Sequence, residues 1–90
     1  MSSRKRTVFS FLYARRGETT LWDRKGFDQS EASEDEAPGA KLGVHDHKLE
    51  WYRVVVEFLP DEEREEACDR AEDEAEAEFR KHHPNALLAE

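Results

Sequence analysis

The chain has 90 residues, 22 acidic against 14 basic, giving a formal net charge of −8; charged side chains make up 40% and mean hydropathy is −1.00. No run of about 18 apolar residues occurs, which excludes a membrane-spanning helix, and the basic start over residues 1–6 leads into no apolar stretch of secretory-signal type. The single cysteine, Cys68, excludes a disulfide framework and a cysteine-based zinc finger, so one small, soluble, cytoplasmic domain is expected.

Charge is spread unevenly. Residues 1–27 carry seven basic and two acidic side chains, 28–46 one basic and six acidic, 47–60 two of each, and 61–90 four basic and twelve acidic. Behind a basic arm at residues 1–6, residues 7–14 are rich in β-branched and aromatic side chains and too short for an independent helix, so they predict a strand. Gly17 supplies a turn position in the Arg15-Arg16-Gly17-Glu18 stretch, and residues 19–24 return as the second strand of a hairpin. From 25 to 47 the periodicity dissolves. Acidic and small residues ending in Pro38-Gly39 predict a long, mobile acidic loop, pinned at its ends by Phe27, Leu42 and Val44.

Residues 48–59 form the strongest strand pattern. Alternation places Tyr52, Val54, Val56 and Phe58 on one face, with Leu49, Trp51, Arg53, Val55, Glu57 and Leu59 on the other. Pro60 suits the first turn of a helix, and Asp61, Glu62 and Glu63 suit the positive end of its dipole. A helix is therefore expected from 60 to 83, ending at His82-His83-Pro84-Asn85, with a tail over 84–90 in which Ala86-Leu87-Leu88-Ala89 forms a fourth strand or a docking segment.

At 100° per residue the helix gathers Ala67, Cys68, Ala71, Ala75, Phe79 and His82 into one apolar stripe of mostly small side chains, suited to close packing on the Tyr52/Val54/Val56/Phe58 face. Its far side gathers Glu62, Glu66, Asp69, Asp73 and Glu76, one carboxylate per turn at a rise of about 5 to 6 Å. Glu66 with Arg70 and Glu76 with Arg80 have the spacing of favourable i, i+4 pairs.

Few motifs carry chemistry. His45-Asp46-His47 and His82-His83 contain metal-ligand chemistry, but two pairs on separate segments are better read as surface groups, with His82 favourable at a helix C-terminus. Carboxylates around Cys68 would raise its pKa, which fits a packing residue rather than a nucleophile. Without a phosphate-binding glycine loop, a nucleophile elbow or an HExxH pattern, no enzymatic activity and no cofactor or metal are expected. Arg4-Lys5-Arg6, Arg15-Arg16 and Arg24-Lys25 interleave with Phe9, Phe11, Tyr13 and Trp22, a combination used by single-strand nucleic-acid platforms, although the overall charge opposes phosphate binding.

The expected architecture is α+β: an antiparallel sheet of three or four strands with the long C-terminal helix across one face. The leading expectation for function is a non-enzymatic module that binds a protein partner with a basic surface. The ridge of Glu62, Glu66, Asp69, Asp73 and Glu76 would approximate the phosphate spacing of DNA, as in phage-encoded inhibitors of restriction or CRISPR machinery; this analogy concerns size and charge, not homology. Trp51 and Val55, on the sheet face away from the helix, are the expected apolar contact surface for a partner or a second copy. A nucleic-acid-binding hairpin and a ligand-free homodimer are the alternatives.

Overall fold

The computed structural model describes residues 6–33, 35–46 and 48–89. Its elements, in chain order, are β1 (Arg6–Arg15), β2 (Leu21–Glu31), β3 (Gly39–Asp46), β4 (Leu49–Glu57), α1 (Arg64–His82) and β5 (Leu87–Leu88). They form a five-stranded sheet of order β3-β4-β1-β2-β5, antiparallel except for the β2–β5 edge. The expected α+β class holds, with more strands than alternation alone indicated.

β1 forms at the centre because both of its faces are apolar enough to be covered: Val8, Phe9, Phe11 and Tyr13 are all buried. Its register sets the two faces. Phe9 lies opposite Val54, Phe11 opposite Tyr52 and Tyr13 opposite Glu50, all on the helix side. The alternation expected for residues 52–58 is present, with Tyr52, Val54 and Val56 buried and Phe58 packed against them. The helix turns Ala67, Ala71, Ala75 and Phe79 onto this face and lies across β4, β3 and β1. Three alanines bring the axis close to the sheet. Phe79 then fills the remaining space, stacked on Tyr13 at 4.7 Å and edge-on to Trp22 and Tyr52 at 5.2 and 5.8 Å. Cys68 packs at the margin of the stripe, while His82 is exposed rather than part of it.

Two expectations are corrected. The acidic loop over 25–47 is mostly sheet: β2 continues to Glu31, and β3 pairs with β4 from Gly39 to Asp46. The long β1 and β4 offer full rows of backbone partners, and an unpaired backbone group next to them would be costly. That gain outweighs the weak strand propensity of Lys25-Gly26-Phe27-Asp28. Only residues 32–38 connect β2 to β3. The alternation of β2 was hidden by a bulge: Leu12 lies opposite Gly26 and Tyr13 opposite Arg24, so Lys25 is the extra residue. Arg24 and Phe27, three positions apart, therefore share the helix side.

The helix begins at Arg64 rather than Pro60. Asp61 adopts a left-handed φ of 67°, which breaks the chain direction after Pro60. Glu63 becomes the N-cap, and its N–H donates to the Glu66 carboxylate at 3.4 Å. At the other end the tail provides a fifth strand. The Leu87 and Ala89 N–H groups donate to the Thr20 and Trp22 carbonyls at 2.9 and 2.8 Å, adding β5 parallel to β2.

Candidate functional site

Two surfaces hold the residues singled out from the sequence: the outer side of α1 and the sheet face opposite the helix. Most of the expected acidic ridge is already engaged. Glu62 folds back before α1 and takes two bonds from Arg70, Nη2 to Oε1 at 2.8 Å and Nε to Oε2 at 3.1 Å, while Arg70 also donates to the Glu57 carbonyl at 3.0 Å. Arg70 thus serves Glu62 and not Glu66, correcting the expected i, i+4 pair. A guanidinium spanning the start of the helix and the end of β4 closes a bidentate bond that an axial neighbour could not. The Arg70 bonds and the Leu59 N–H hold the Glu62 carboxyl below its ordinary range.

Glu76 pairs with Arg80 at 3.4 Å, as expected, but also with Arg24, which bonds Glu72 at 3.0 Å as well. Arg24 reaches the helix because the bulge turns it to the helix side. Of the other hairpin cations, Arg16 makes a two-point bond to Asp23 at 2.7 and 2.8 Å, Arg15 approaches Glu18 at 3.7 Å, and Lys25 is exposed. Asp69 and Asp73 stay exposed on the outer side of α1, joined by exposed Glu65 and Glu66 near its start.

Burial and the neighbouring Glu72 and Asp69 carboxylates raise the Cys68 thiol pKa, in the direction its sequence surroundings suggested. His45 and Asp46 fall in β3, whereas His47 and the basic residues Arg4 and Lys5 lie outside the described residues. Among the described residues, no group of three or more histidine, cysteine or carboxylate side chains converges as a metal site would. No helix among them is long and apolar enough to cross a membrane.

The opposite sheet face is organised in transverse rows. Gly39, Val55, Val8 and Ser30 form one; Lys41, Arg53, Ser10 and Asp28 the next; Gly43, Trp51, Leu12 and Gly26 the third. Val55 is buried at 4% exposure and Trp51 is half-buried, so Val55 itself offers almost no contact area. Of the exposed large apolar side chains, Phe27 is on the helix side and Leu59 follows β4, while Leu87 shares the opposite face with Leu21 at the β5 edge, away from Trp51. A Cβ on Gly26 would stand 3.4 Å from Leu12 and 3.9 Å from the far edge of the Trp51 indole. The ring therefore reaches from β4 across Leu12 to β2, lying along the sheet. Beside it, Ser10, Asp28, Lys41, Gly43, Trp51 and Arg53 line a hollow of about 330 Å³.

One side chain from the 32–38 connection enters this surface. Glu36 forms an ion pair with Arg53, accepts the Ser33 N–H at 3.0 Å on its second carboxylate oxygen, and through its carbonyl accepts Arg6 Nη1 at 2.8 Å. The Ser33 and Arg53 bonds hold its carboxyl below the ordinary glutamate range.

A polar cluster at the end of the core escaped the sequence reading. Glu50 is buried, and its Oε1 accepts from Tyr52 Oη and His83 Nε2, both at 2.7 Å. His83 also lies 4.7 Å from the Trp22 ring and 5.1 Å from Phe79. The cluster fixes the helix end and the tail against β4 and β2. Extending the Tyr52/Val54/Val56/Phe58 alternation back by one step would have placed Glu50 inside. Compared with known proteins, the chain matches no family model, no curated protein and no solved structure.

Proposed function

We propose that this protein is a non-enzymatic binding module whose outer helix side engages a basic surface on a nucleic-acid-handling protein, in the manner of small acidic inhibitors. The observation that carries this reading is how charge is divided. Arg16 and Arg24 are held by the protein's own carboxylates and Arg15 lies 3.7 Å from Glu18, which leaves exposed Lys25 as the hairpin cation outside these pairs, while Glu65, Asp69 and Asp73 stand together on the exposed helix surface. Cations consumed internally offer little to a phosphate backbone, whereas exposed carboxylates speed encounter with a cationic surface. The part of the ridge left for a partner is accordingly Asp69 and Asp73, extended by the neighbouring Glu65, with Glu62, Glu66 and Glu76 serving the fold.

Fluorescence anisotropy at about 50 mM salt, where surface charges are weakly screened, provides the test. The probes are a labelled oligo-arginine peptide and labelled single- and double-stranded DNA. The peptide should bind, the nucleic acids should not, and Glu65→Gln/Asp69→Asn/Asp73→Asn should weaken peptide binding and flatten its salt dependence. Tight DNA binding would turn the assignment to the hairpin. Peptide affinity unchanged in the triple variant would reduce the helix side to a solvated surface.

A further inference from the structure

We propose that the hollow beside Trp51 is a binding site for a nucleoside monophosphate, and that Glu36 occupies the phosphate position in the free protein. The site lies on the sheet face opposite α1, independent of the acidic helix surface. Its polar row runs Lys41, Arg53, Ser10, Asp28 across four strands. At about 4.8 Å between strands the row spans about 14 Å, with two cations at one end and a carboxylate at the other. This polarity suits a ligand that is anionic at one end and donates hydrogen bonds from the other.

Arg53 is partly exposed at 43% of its side chain, and its ion-pair partner is Glu36 of the protein's own 32–38 connection. Lys41 also acts on the Glu36 carboxylate through its charge. Glu36 presents one carboxylate oxygen to Arg53 and the other to the Ser33 N–H; an exogenous phosphate at this position could take both guanidinium N–H groups, the stronger two-point arrangement. The Glu36 N–H donates to the Ser33 carbonyl at 3.2 Å and the Glu36 carbonyl accepts from Arg6 at 2.8 Å, so the main chain stays anchored when the carboxylate gives up Arg53 and the Ser33 N–H.

The hollow beyond Arg53 exists because Gly43 has no side chain: a Cβ there would meet only the Trp51 carbonyl oxygen, at 3.9 Å. Trp51 forms an apolar wall along which a planar base can lie. Asp28, at the far end, accepts from an exocyclic amino group or a ribose hydroxyl, and Ser10 lies between base and phosphate. A volume of about 330 Å³ suits one nucleotide rather than a strand.

Isothermal titration calorimetry of the full chain with AMP, ribose 5-phosphate and inorganic phosphate tests this. Wild-type protein should bind AMP with a Kd of about 0.1 to 1 mM, as expected of a shallow site. Glu36→Gln should tighten binding about three- to fivefold by removing a partly exposed competing pair. Lys41→Gln and Arg53→Gln should each weaken it by about tenfold. Ribose 5-phosphate and inorganic phosphate should bind much less tightly than AMP. Amide chemical-shift mapping on wild-type protein gives a readout independent of how the variants fold, with changes expected at Lys41, Gly43, Trp51 and Arg53. No AMP binding by either wild type or Glu36→Gln, shifts confined to another surface, or equal affinity for AMP and inorganic phosphate would each overturn the proposal.

Discussion

Phe79 is the residue on which the docking of the helix should depend most. It is fully buried and is the only large side chain among the buried residues of α1, the others being Ala67, Ala71 and Ala75. Phe79→Ala would leave Tyr13, Tyr52 and Trp22 facing a cavity, because three alanines and a rigid sheet cannot close over it. A Phe→Ala change in a core costs about 3 to 5 kcal/mol, and the upper half of that range applies where three aromatic rings lose a partner at once. A domain of this size has roughly 5 to 13 kcal/mol in total, so the substitution removes a third or more of its stability. With a urea m-value of about 1 kcal/mol/M, the unfolding midpoint should fall by about 4 to 5 M or the variant should be unfolded from the start. Circular dichroism at 222 nm and tryptophan fluorescence of a Trp51→Phe background, in which Trp22 is the single tryptophan, followed through one urea titration, read the helix and the Trp22 environment separately. Leu59→Ala, at a side chain 51% exposed, should change stability by less than about 0.5 kcal/mol. A Phe79→Ala loss below about 1 kcal/mol would refute the packing argument, since it would mean that the sheet can dispense with the helix.

Two predictions concern pH. The only tyrosines, Tyr13 and Tyr52, both have raised pKa values, in each case chiefly from burial, with the Glu50 hydrogen bond adding to the effect at Tyr52. A phenol raised in the folded state contributes stability that is present below its ordinary pKa of 10.0 and lost as pH rises. Absorbance at 295 nm near the ordinary phenol pKa should therefore show less tyrosinate in the folded chain than in the urea-unfolded chain, and a native-state titration with an ordinary midpoint would show that the rings are wet. Glu62 is lowered by Arg70, so its contribution is present above its ordinary value of 4.5 and lost as pH falls through the folded pKa. Unfolding titrations between pH 6 and 3 should find Arg70→Gln less stable near neutrality, with a smaller acid-induced loss than wild type; parallel curves would exclude the pair as a source of stability.

Local patterns carried much of this protein. The β-branched and aromatic run at 7–14 placed β1, and the period-two run at 52–58 placed the helix-facing side of β4, because neighbouring side chains in an extended chain must alternate whatever lies beyond them. The stripe of Ala67, Ala71, Ala75 and Phe79 fixed which side of α1 is buried for the equivalent reason at a period of 3.6. Tertiary structure decided what depends on distant partners. Lys25-Gly26-Phe27-Asp28 has no strand pattern of its own and joins the sheet because β1 offers it backbone bonds, with the bulge at Lys25 inverting its faces. Charge pairing escaped the sequence for the same reason. Arg24 meets Glu72 and Glu76 across 48 and 52 residues of chain, and Arg53 meets Glu36 from another segment, while Glu66 turns to the helix cap and leaves Arg70 to Glu62. Composition fixes the excess of carboxylates, but only the folded chain determines which are neutralised and which remain at the surface, because a charge pairs with whatever the backbone brings within a few ångströms.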